Sequence, residues 1–403
     1  MLIVKKFGGT SVGDKERIFN VARRCAEDFK KGNDLIVVLS AMGKSTDELI
    51  AKAKEINPDP PKRELDMLLT TGEQTSVALM AMAFDAMDIP AVSLNAFQVA
   101  MHTTRVHGNA RIKRIDTDRI MHELEHRRIV IVTGFQGVNK YDNYTTLGRG
   151  GSDTTAVALA AALHADACEI YTDVDGVYTA DPRYVPKARK LDEITYDEML
   201  DLATLGAGVL HNRSVELAKK YGVQLVVRSS LNDHEGTVVK EVSKNVERML
   251  ISGVALDKNT ARISVIGIED KPGMAFKLFD LLAKDDINVD MILQSIGREN
   301  SKDISFTVAR DVAERARKIL EDNSARIGAT EISCKMDCAK LSIVGAGMMT
   351  NPGVAAKMFE TLYNNHININ MISTSEIRVT VLIAERDAER AANAVHDAFG
   401  LEE

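Results

Sequence analysis

The stretch Val4-Lys5-Lys6-Phe7-Gly8-Gly9-Thr10-Ser11-Val12 continues a β-prone run and ends in two glycines and two hydroxyl residues. Adjacent glycines let backbone N–H groups approach an anion closely, and a helix start behind them adds positive potential. Lys6 adds a mobile positive charge at the end of the strand. The stretch therefore has the character of a phosphate cradle, although it lacks the G-x-x-x-x-G-K-[ST] pattern of a Walker A loop. Taken alone, it fits an ordinary glycine turn equally well.

The composition indicates a soluble globular protein. A chain of 403 residues predicts two or three domains, and 45% hydrophobic with 27% charged residues suits packed cores. The formal net charge of -7 argues against nucleic acid or an anionic membrane as the main partner. No apolar run reaches membrane-spanning length, and no secretory leader precedes the first strand.

Four scattered cysteines form no secretion-type framework, so a reducing cytoplasm is expected. Cys334 and Cys338 have a spacing seen in metal sites. No second pair of cysteines or histidines accompanies them, so the sequence predicts no zinc site.

The first part of the chain alternates short apolar strands with helical patterns. The predicted strands are 35–39, 91–94, 129–133, 169–172 and 224–228, and the helical patterns include 17–30, 74–87 and 154–164. This alternation predicts an α/β fold with a mostly parallel sheet covered by helices on both faces, a three-layer α/β/α arrangement. Ligands in such folds bind beyond the carboxyl ends of the strands, so the loops after the strands are the informative ones.

Two of these loops carry polar residues with more than one interpretation. Ser40 to Thr46 could bind a ligand or simply cap the following helix. Glu73, after Thr70-Thr71-Gly72, is expected at a helix start, where it could interact with the helix dipole. Considered locally, the structural interpretation is the better one for both.

The loop Gly148-Arg149-Gly150-Gly151-Ser152-Asp153 favours a functional interpretation. Ser152 or Asp153 could merely cap the alanine-rich helix that follows. A solvated arginine, however, needs no glycines around it, and Arg149 could grip a carboxylate or phosphate with its bidentate fork.

A further polar loop, Tyr171 to Arg183, follows a buried strand and contains tyrosines, carboxylates and an arginine. Its Asp-x-Asp-Gly sequence lacks the later positions of an EF-hand, which argues against calcium. Stacking on a base and hydrogen bonding to a ribose suit the content better.

The three motifs Lys6 to Val12, Gly148 to Asp153 and Thr172 to Arg183, in this order, resemble those of aspartate kinases in the amino-acid-kinase family. The resemblance covers essentially the whole chain. It implies a kinase that uses ATP and Mg²⁺ to phosphorylate the side chain of L-aspartate, giving 4-phospho-L-aspartate, the first step towards lysine, threonine and methionine.

The resemblance also implies roles for individual residues. Lys6 and Asp153 are expected to be catalytic, Asp153 by orienting the lysine. The expected aspartate-binding residues are Ser40, Thr46, Glu73 and Arg149. The expected nucleotide-binding residues are Lys6, Phe7, Gly8, Gly9, Thr172, Asp173, Tyr178, Arg183, Gly208 and Val209. Many relatives have a lysine where this chain has Gly208, so a side-chain contact to ATP is not expected there.

The C-terminal part contains an internal repeat. Ile263 to Gly267 echoes Leu341 to Gly345, each copy continues into Pro-Gly and an amphipathic helix, and Ile287 to Ile292 echoes Ile367 to Ile372. The pattern βαββα, present twice, predicts two ferredoxin-like units that resemble ACT domains.

The second copy has no fourth strand after its last helix, whereas Met249 to Ala255 precedes the first copy as a candidate strand. We therefore expect the first ACT unit, about 261–337, to be inserted into the second, about 249–256 plus 338–403. The expected kinase domain is 1–239, and residues 240–248 form a charged linker.

ACT domains bind amino-acid effectors, so the resemblance implies feedback regulation by lysine and/or threonine and a homo-oligomer formed through these units. The expected effector contacts are Asp270, Lys271, Pro272, Gly273, Met274, Ala275, Asn288, Val289, Asp290 and Gln294. The simpler alternative is a repeat that serves only for dimerisation. For the whole chain, the alternatives are another acyl-phosphate-forming amino-acid kinase and a non-catalytic amino-acid sensor.

Overall fold

The computed structural model describes residues 1–206, 209–241, 250–296, 301–349 and 351–402. The chain forms two compact units. The first contains Met1–Val177, Lys190–Thr204 and Gly208–Asn245, and the second contains Tyr178–Arg189, Leu205–Ala207 and Val246–Glu403.

The strands of the first unit are β1 Leu2–Phe7, β2 Asp34–Leu39, β3 Ala91–Leu94, β4 His102–Thr103, β5 Ile112–Arg114, β6 Ile129–Thr133, β7 Gln136–Val138, β8 Tyr144–Thr146, β9 Ala167–Thr172, β10 Glu193–Thr195, β11 Leu225–Ser229 and β12 Thr237–Lys240. Its helices are α1 Lys15–Lys30, α2 Ser45–Ile56, α3 Lys62–Asp85, α4 Asp118–Glu125, α5 Gly151–Ala162, α6 Tyr196–Thr204 and α7 Asn212–Tyr221.

Eight strands of the first unit form one sheet in the order β10-β12-β11-β9-β1-β2-β6-β3. Every neighbouring pair is parallel except β11 with β12. This confirms the predicted α/β fold with a mostly parallel sheet. A second sheet of four short strands, β5-β4-β7-β8, was not predicted, because strands of two or three residues are too short for alternation to show.

Helix α1 shows how local sequence builds the core of this unit. The Asp14 side chain caps the helix by accepting a hydrogen bond from the Arg17 N–H at 2.9 Å. Ile18, Val21 and Cys25 recur at helical spacing and are buried in the same cluster as β1 and β2 side chains. Apolar burial of this kind contributes roughly 25 cal/mol per Å².

The second unit contains the strands β13 Gly253–Glu269, β14 Ile292–Ile296, β15 Ser301–Val308, β16 Glu331–Val344, β17 Met371–Thr374 and β18 Arg378–Ala384. Its helices are α8 Met274–Lys284, α9 Ala313–Asp322, α10 Ser324–Ile327, α11 Val354–Asn364 and α12 Ala388–Ala398. The strands form one sheet in the order β14-β15-β13-β16-β18-β17.

Two long strands, β13 and β16, connect the two copies of the repeat within this sheet. Residues 262–266 of β13 pair with 331–335 of β16, and residues 253–257 pair with 340–344. The strand before the first copy therefore lies beside the first strand of the second copy, as the insertion hypothesis requires. The domain boundaries stay a prediction, and Met249 and residues 242–248 of the proposed linker lie outside the described residues.

One expectation needs correction. Glu73 does not lie at a helix start but in the middle of the 24-residue helix α3. The hydroxyls of Thr70 and Thr71 hydrogen-bond to the carbonyls of Met67 and Leu68, so the helix continues through a stretch that looks like a helix boundary. Tyr178–Arg189, a segment within the predicted kinase domain, packs with the second unit.

None of the helices described here is both long enough and apolar enough to cross a membrane.

Candidate active site

A cavity of about 670 Å³ lies in the first unit beyond the ends of its central strands. Its lining comes from segments that follow β1, β2 and β6 and from helices α2, α3 and α5, as expected for the carboxyl edge of a parallel sheet. The predicted site residues in this lining are Lys6, Gly8, Gly9, Ser40, Thr46, Glu73, Arg149 and Asp153. The fold thus brings together residues from four separate sequence motifs.

Lys6 forms the cationic end of this cavity. Its Nζ lies 2.7 Å from Asp153 Oδ1, and the two side chains are only 12% and 11% exposed. Asp153 lies in the first turn of α5, where a carboxylate is also stabilised by the helix dipole. The Ser40 hydroxyl donates to the Ser152 hydroxyl at 2.9 Å, which joins the end of β2 to the same helix turn. The ammonium group is therefore held in one place by a fixed carboxylate.

Gly9 lies where no other residue fits. A Cβ built on Gly9 would lie 2.5 Å from the Ala41 carbonyl oxygen and 3.1 Å from that of Gly43. The Gly43 N–H also donates to the Gly9 carbonyl at 3.0 Å. The two loops after β1 and β2 therefore touch backbone to backbone. This close approach leaves the cavity side of the Gly8-Gly9 segment open to a phosphate.

Glu73 is buried, with 2% of its surface exposed. Its Oε1 accepts a hydrogen bond from the Ala41 N–H at 3.3 Å, and its Oε2 has no hydrogen-bond partner among the described residues. Burial raises the pKa of Glu73 to about 7, against the opposing effect of the polar groups around it, the Gln136 side-chain amide and the Ala41 N–H among them. A buried acceptor without a partner is costly unless a ligand donor completes it.

Arg149 is exposed to the cavity and makes no hydrogen bond or ion pair with any residue that the structure describes. Its neighbours Gly148 and Gly150 have φ values of 82° and 66°, a conformation that favours glycine. A Cβ at Gly150 would lie 2.2 Å from the His211 side chain. The glycines are thus required by the backbone, and they present a free guanidinium to a ligand.

The other residues predicted to bind the nucleotide lie elsewhere. Phe7 is buried and stacks on Tyr171 with ring centroids 4.5 Å apart, so its side chain supports the sheet. Thr172 donates to the Asp173 carboxylate at 3.0 Å at the end of β9. Val209 follows Gly208, which lies outside the described residues.

Tyr178 and Arg183 belong to the second unit. There the Arg183 Nε lies 3.0 Å from both carboxylate oxygens of Asp181. The guanidinium lowers the pKa of Asp181, against the opposing effect of partial burial.

Sequence reasoning missed Asp66, which is buried and also lines the cavity. Its carboxylate accepts from the Thr146 hydroxyl at 2.6 Å and from the Gly108 N–H at 3.1 Å, and it lies 2.8 Å from His107 Nδ1. The available signal was its position seven residues before Glu73, which places both carboxylates on one face of a helix.

The sequence did not predict a structural role for Lys5, which is the more deeply buried of the two adjacent lysines. Its Nζ lies 2.5 Å from Asp28 and 2.9 Å from Glu169, and the side chain is 1% exposed. Burial lowers the pKa of Lys5, but the tyrosine and carboxylates around it outweigh that effect and raise it. Alternation along β1 places Lys5 and Lys6 on opposite faces, which is how the two lysines could have been told apart.

The residues predicted to bind an effector lie in the second unit. Gly273, with φ of 91°, immediately precedes α8, while Asp270 lies 2.6 Å from Lys302 Nζ and Lys271 pairs with Glu269 at 2.8 Å. Asp290 pairs with the buried Lys340 at 2.5 Å. The remaining predicted contacts, Pro272, Met274, Ala275, Asn288, Val289 and Gln294, lie between β13 and the end of β14.

Comparison with known proteins identifies both parts of the chain. The amino acid kinase family matches residues 1–229, and the ACT domain matches residues 263–323 and 341–399. An aspartokinase from Bacillus sp. (strain MGA3) is 51% identical over 400 residues, which cover 99% of this chain and 97% of the relative.

Two solved structures of aspartokinase III from E. coli have the same fold over 99% of both chains, at 26% identity. The complex with aspartate and ADP, in the R-state, has a TM-score of 0.84. The complex with lysine and aspartate, in the T-state, has a TM-score of 0.78. Together with the family matches, these similarities show that this chain belongs to the amino acid kinase family and, within it, to the aspartokinases with C-terminal ACT domains.

Proposed function

We propose that this protein transfers the γ-phosphoryl group of ATP to the side-chain carboxylate of L-aspartate and forms 4-phospho-L-aspartate. The observation that carries the proposal is the match of charges in one cavity. Aspartate has an ammonium group and two carboxylates. Within the described part of the chain, the cavity offers a buried Glu73 carboxylate oxygen without a hydrogen-bond partner, an unpaired Arg149 guanidinium, and a cation on Lys6.

Each proposed contact follows from these charges. Glu73 binds the substrate ammonium group, and Arg149 binds the α-carboxylate through a bidentate pair. The side-chain carboxylate then points towards Lys6 and the glycines that follow β1. Ser40 and Thr46 contribute hydroxyl groups along the same wall.

The chemistry needs no general base. A carboxylate with an ordinary pKa of about 3.9 is already ionised at neutral pH, so the obstacle is the repulsion between two anions. Lys6 and the N–H groups of Gly8 and Gly9 would neutralise charge on the phosphoryl group as it moves. Asp153 would hold the Lys6 ammonium group in line with it.

ATP would use Lys6, Gly8 and Gly9 for its phosphates and the region of Thr172, Asp173, Tyr178, Arg183, Gly208 and Val209 for its nucleoside. Mg²⁺ would enter with the phosphates of ATP and supply further neutralisation of charge. Among the described residues, no group of three or more His, Cys, Asp or Glu side chains is placed to hold a metal ion.

The ACT units support a proposal of feedback regulation. A chain that makes 4-phospho-L-aspartate for lysine, threonine and methionine synthesis would be inhibited by lysine and/or threonine at the predicted contacts around α8. The lysine complex of the E. coli relative favours lysine as the first effector to test. We also propose that the ACT units join copies of the chain into a homo-oligomer, and that they have the inserted arrangement expected from the repeat.

One assay tests the activity. ATP-dependent acyl phosphate is trapped with hydroxylamine, with aspartate and glutamate compared as acceptors and lysine and threonine added singly and together. We expect aspartyl hydroxamate with aspartate and a strong preference over glutamate. Product from glutamate alone would favour a different amino-acid kinase, and no product from either would favour a sensor.

A further inference from the structure

The loop that carries Arg149 is held in place by two charged side chains from distant parts of the chain. Asp66 projects from α3, and Arg213 projects from the first turn of α7. Neither position favours that residue: a buried carboxylate within a helix is costly, and a cation opposes the dipole at a helix N-terminus. The presence of Asp66 and Arg213 is therefore not explained by the stability of helices α3 and α7.

Asp66 fixes the segment before Arg149 from one side. Its Oδ1 accepts from the Thr146 hydroxyl at 2.6 Å, and both of its oxygens accept from the Gly108 N–H, at 3.2 and 3.1 Å. The Thr146 carbonyl accepts from the Ala110 N–H at 2.8 Å. One carboxylate therefore binds two neighbouring backbone segments, 107–110 and 144–146, to α3.

Arg213 contacts segment 107–110 as well, together with Leu147, the residue that directly follows segment 144–146. Its guanidinium donates to Asn109 Oδ1 at 3.1 Å and to the Ala110 carbonyl at 2.9 Å, and it also donates to the Leu147 carbonyl. Three acceptors around one planar fork define its orientation closely.

The result is a fixed backbone on both sides of a free side chain. A Cβ at Gly148 would lie 3.2 Å from the Gly108 carbonyl oxygen, so Gly148 packs directly on the fixed segment. The Gly151 N–H donates to the Gly148 carbonyl at 3.0 Å and closes the turn into α5. Arg149 has no hydrogen bond or ion pair of its own among the described residues, so its position depends on these anchors.

We propose that Asp66 and Arg213 are positioning residues that fix the Arg149 loop and so set the affinity for the α-carboxylate of the amino-acid substrate. This inference rests on the proposed function, because it takes Arg149 as the group that binds that carboxylate. A guanidinium pairs well with a carboxylate only when both planes are aligned, so a loosened loop weakens this contact selectively.

The test compares L-aspartate with its α-amide, which keeps the ammonium group and the side-chain carboxylate but lacks the α-carboxylate charge. The readout is the ratio of the α-amide's inhibition constant to the KM of aspartate, measured by formation of aspartyl hydroxamate. In the unmodified protein this ratio is expected to be about 10², because the α-amide lacks the charged bidentate contact that aspartate makes.

Arg149→Ala should bring the ratio close to 1. Arg213→Ala and Asp66→Asn should each lower the ratio at least about tenfold, because a misplaced Arg149 loses most of its contact with the α-carboxylate. The KM for ATP should stay within about twofold of its value in the unmodified protein. Adding Arg213→Ala to Arg149→Ala should lower the ratio no further. The matched control is Lys219→Ala, which removes a cation from the same helix α7 but pairs only with Asp197 at 2.6 Å.

The outcomes separate the two claims. If Arg149→Ala leaves the ratio unchanged, the proposed role of Arg149 is wrong. If Arg149→Ala lowers the ratio but Arg213→Ala and Asp66→Asn retain it, the positioning inference is wrong, even where both variants lose activity. Should either of these variants give little folded protein, Arg213→Lys and Thr146→Val decide the question through the same ratio.

Discussion

The proposed function gives two adjacent residues of β1 different roles, Lys6 in catalysis and Lys5 in stability, which can be tested with matched substitutions. Lys6→Met should lower kcat by roughly 10³-fold, because the charge that stabilises the moving phosphoryl group is lost. The thermal midpoint should change little, since Lys6 has one partner at the edge of a cavity.

Lys5→Met should have the opposite pattern, with a large loss of stability and a small direct effect on kcat. It leaves Asp28 and Glu169 without their buried partner and should destabilise the fold by about 3–5 kcal/mol. Denaturant unfolding and the hydroxamate assay on both variants check this contrast. A Lys6→Met enzyme with normal kcat would contradict the assignment of the site.

At the scale of single residues, the sequence predicted some residues of the candidate site and not others. The residue types of the site were predictable, because Lys6, Glu73 and Arg149 stand in recognisable motifs. The contacts of Asp66 and Arg213 were not, since the partners of these two side chains are between 41 and 104 residues away. Contacts between residues so distant in sequence leave no local pattern.

Glu73 should make both stability and substrate binding depend on pH. Its pKa is raised from an ordinary 4.5 to about 7 in the folded protein. Below pH 4.5 it is protonated in both the folded and the unfolded state and has no effect on stability. Between pH 4.5 and 7 only the folded state keeps the proton, so the free energy of unfolding falls by about 1.4 kcal/mol for each pH unit.

Glu73→Gln should therefore stabilise the protein at pH 8 by about 2–3 kcal/mol while it weakens aspartate binding. In the unmodified enzyme, the KM for aspartate should rise as pH falls below 7, because a protonated Glu73 cannot pair with an ammonium group. The control is Glu123→Gln. Glu123 is equally buried but pairs with Arg119 and Arg128, so its removal should destabilise at pH 8. Equal effects of the two substitutions on stability would contradict the environment inferred for Glu73.

At the level of elements, the contact between the loops after β1 and β2 shapes the end of the cavity that is proposed to bind phosphate. Gly9→Ala would place a Cβ against two backbone carbonyls that cannot move aside independently. We expect a destabilisation of about 1–3 kcal/mol and a loss of about 10²-fold in kcat/KM for ATP, because the loop shifts relative to Lys6.

Gly13→Ala is the matched control for this substitution. Its Cβ would have no neighbour closer than 3.6 Å, and its φ of -68° suits any residue. Steady-state kinetics and thermal unfolding on both variants give the comparison, and equal kinetics would show that the close approach is unimportant.

The elements themselves were predictable where they are long and regular. Helix α1, strands β2 and β6 and the repeated strand–helix pairs of the ACT units follow from periodicity alone. Helix α3 was recognised only from residue 74 onwards, because Thr70, Thr71 and Gly72 have low helix propensity. Gly72 is present for a tertiary reason: a Cβ there would lie 2.8 Å from the Ala41 side chain.

At the scale of the whole molecule, the segment Tyr178–Arg189 begins within the predicted nucleotide loop and packs in the second unit. Ala180 and Val185 are buried in the same apolar cluster as Leu341 and Val395. The Val254 N–H donates to the Thr179 carbonyl at 2.7 Å. The segment thus folds with the second unit, while its neighbours Val177 and Lys190 belong to the first. No sequence pattern predicts this exchange, since the motif resembles the nucleotide site alone.

Thr179 is the centre of this attachment and carries the last prediction. Its hydroxyl oxygen accepts from the Arg189 N–H at 2.9 Å and lies 2.9 Å from His396 Nε2 of α12, with both side chains fully buried. Thr179→Val removes these bonds and should destabilise the second unit by about 1–3 kcal/mol. Because Tyr178 and Arg183 are predicted nucleotide contacts on the same segment, the KM for ATP should rise several-fold while the KM for aspartate does not.

The control for a general loss of stability is Thr380→Val, which removes a buried hydrogen bond of 2.8 Å to Ser342 between strands β18 and β16 of the same unit. We expect Thr380→Val to match the loss in thermal midpoint and to leave the KM for ATP unchanged. If both variants raise the KM for ATP equally, the segment is not a specific link. If only Thr179→Val does so, and if it also weakens inhibition by lysine or threonine, then effector binding in the ACT region acts on the nucleotide through the contacts of Thr179.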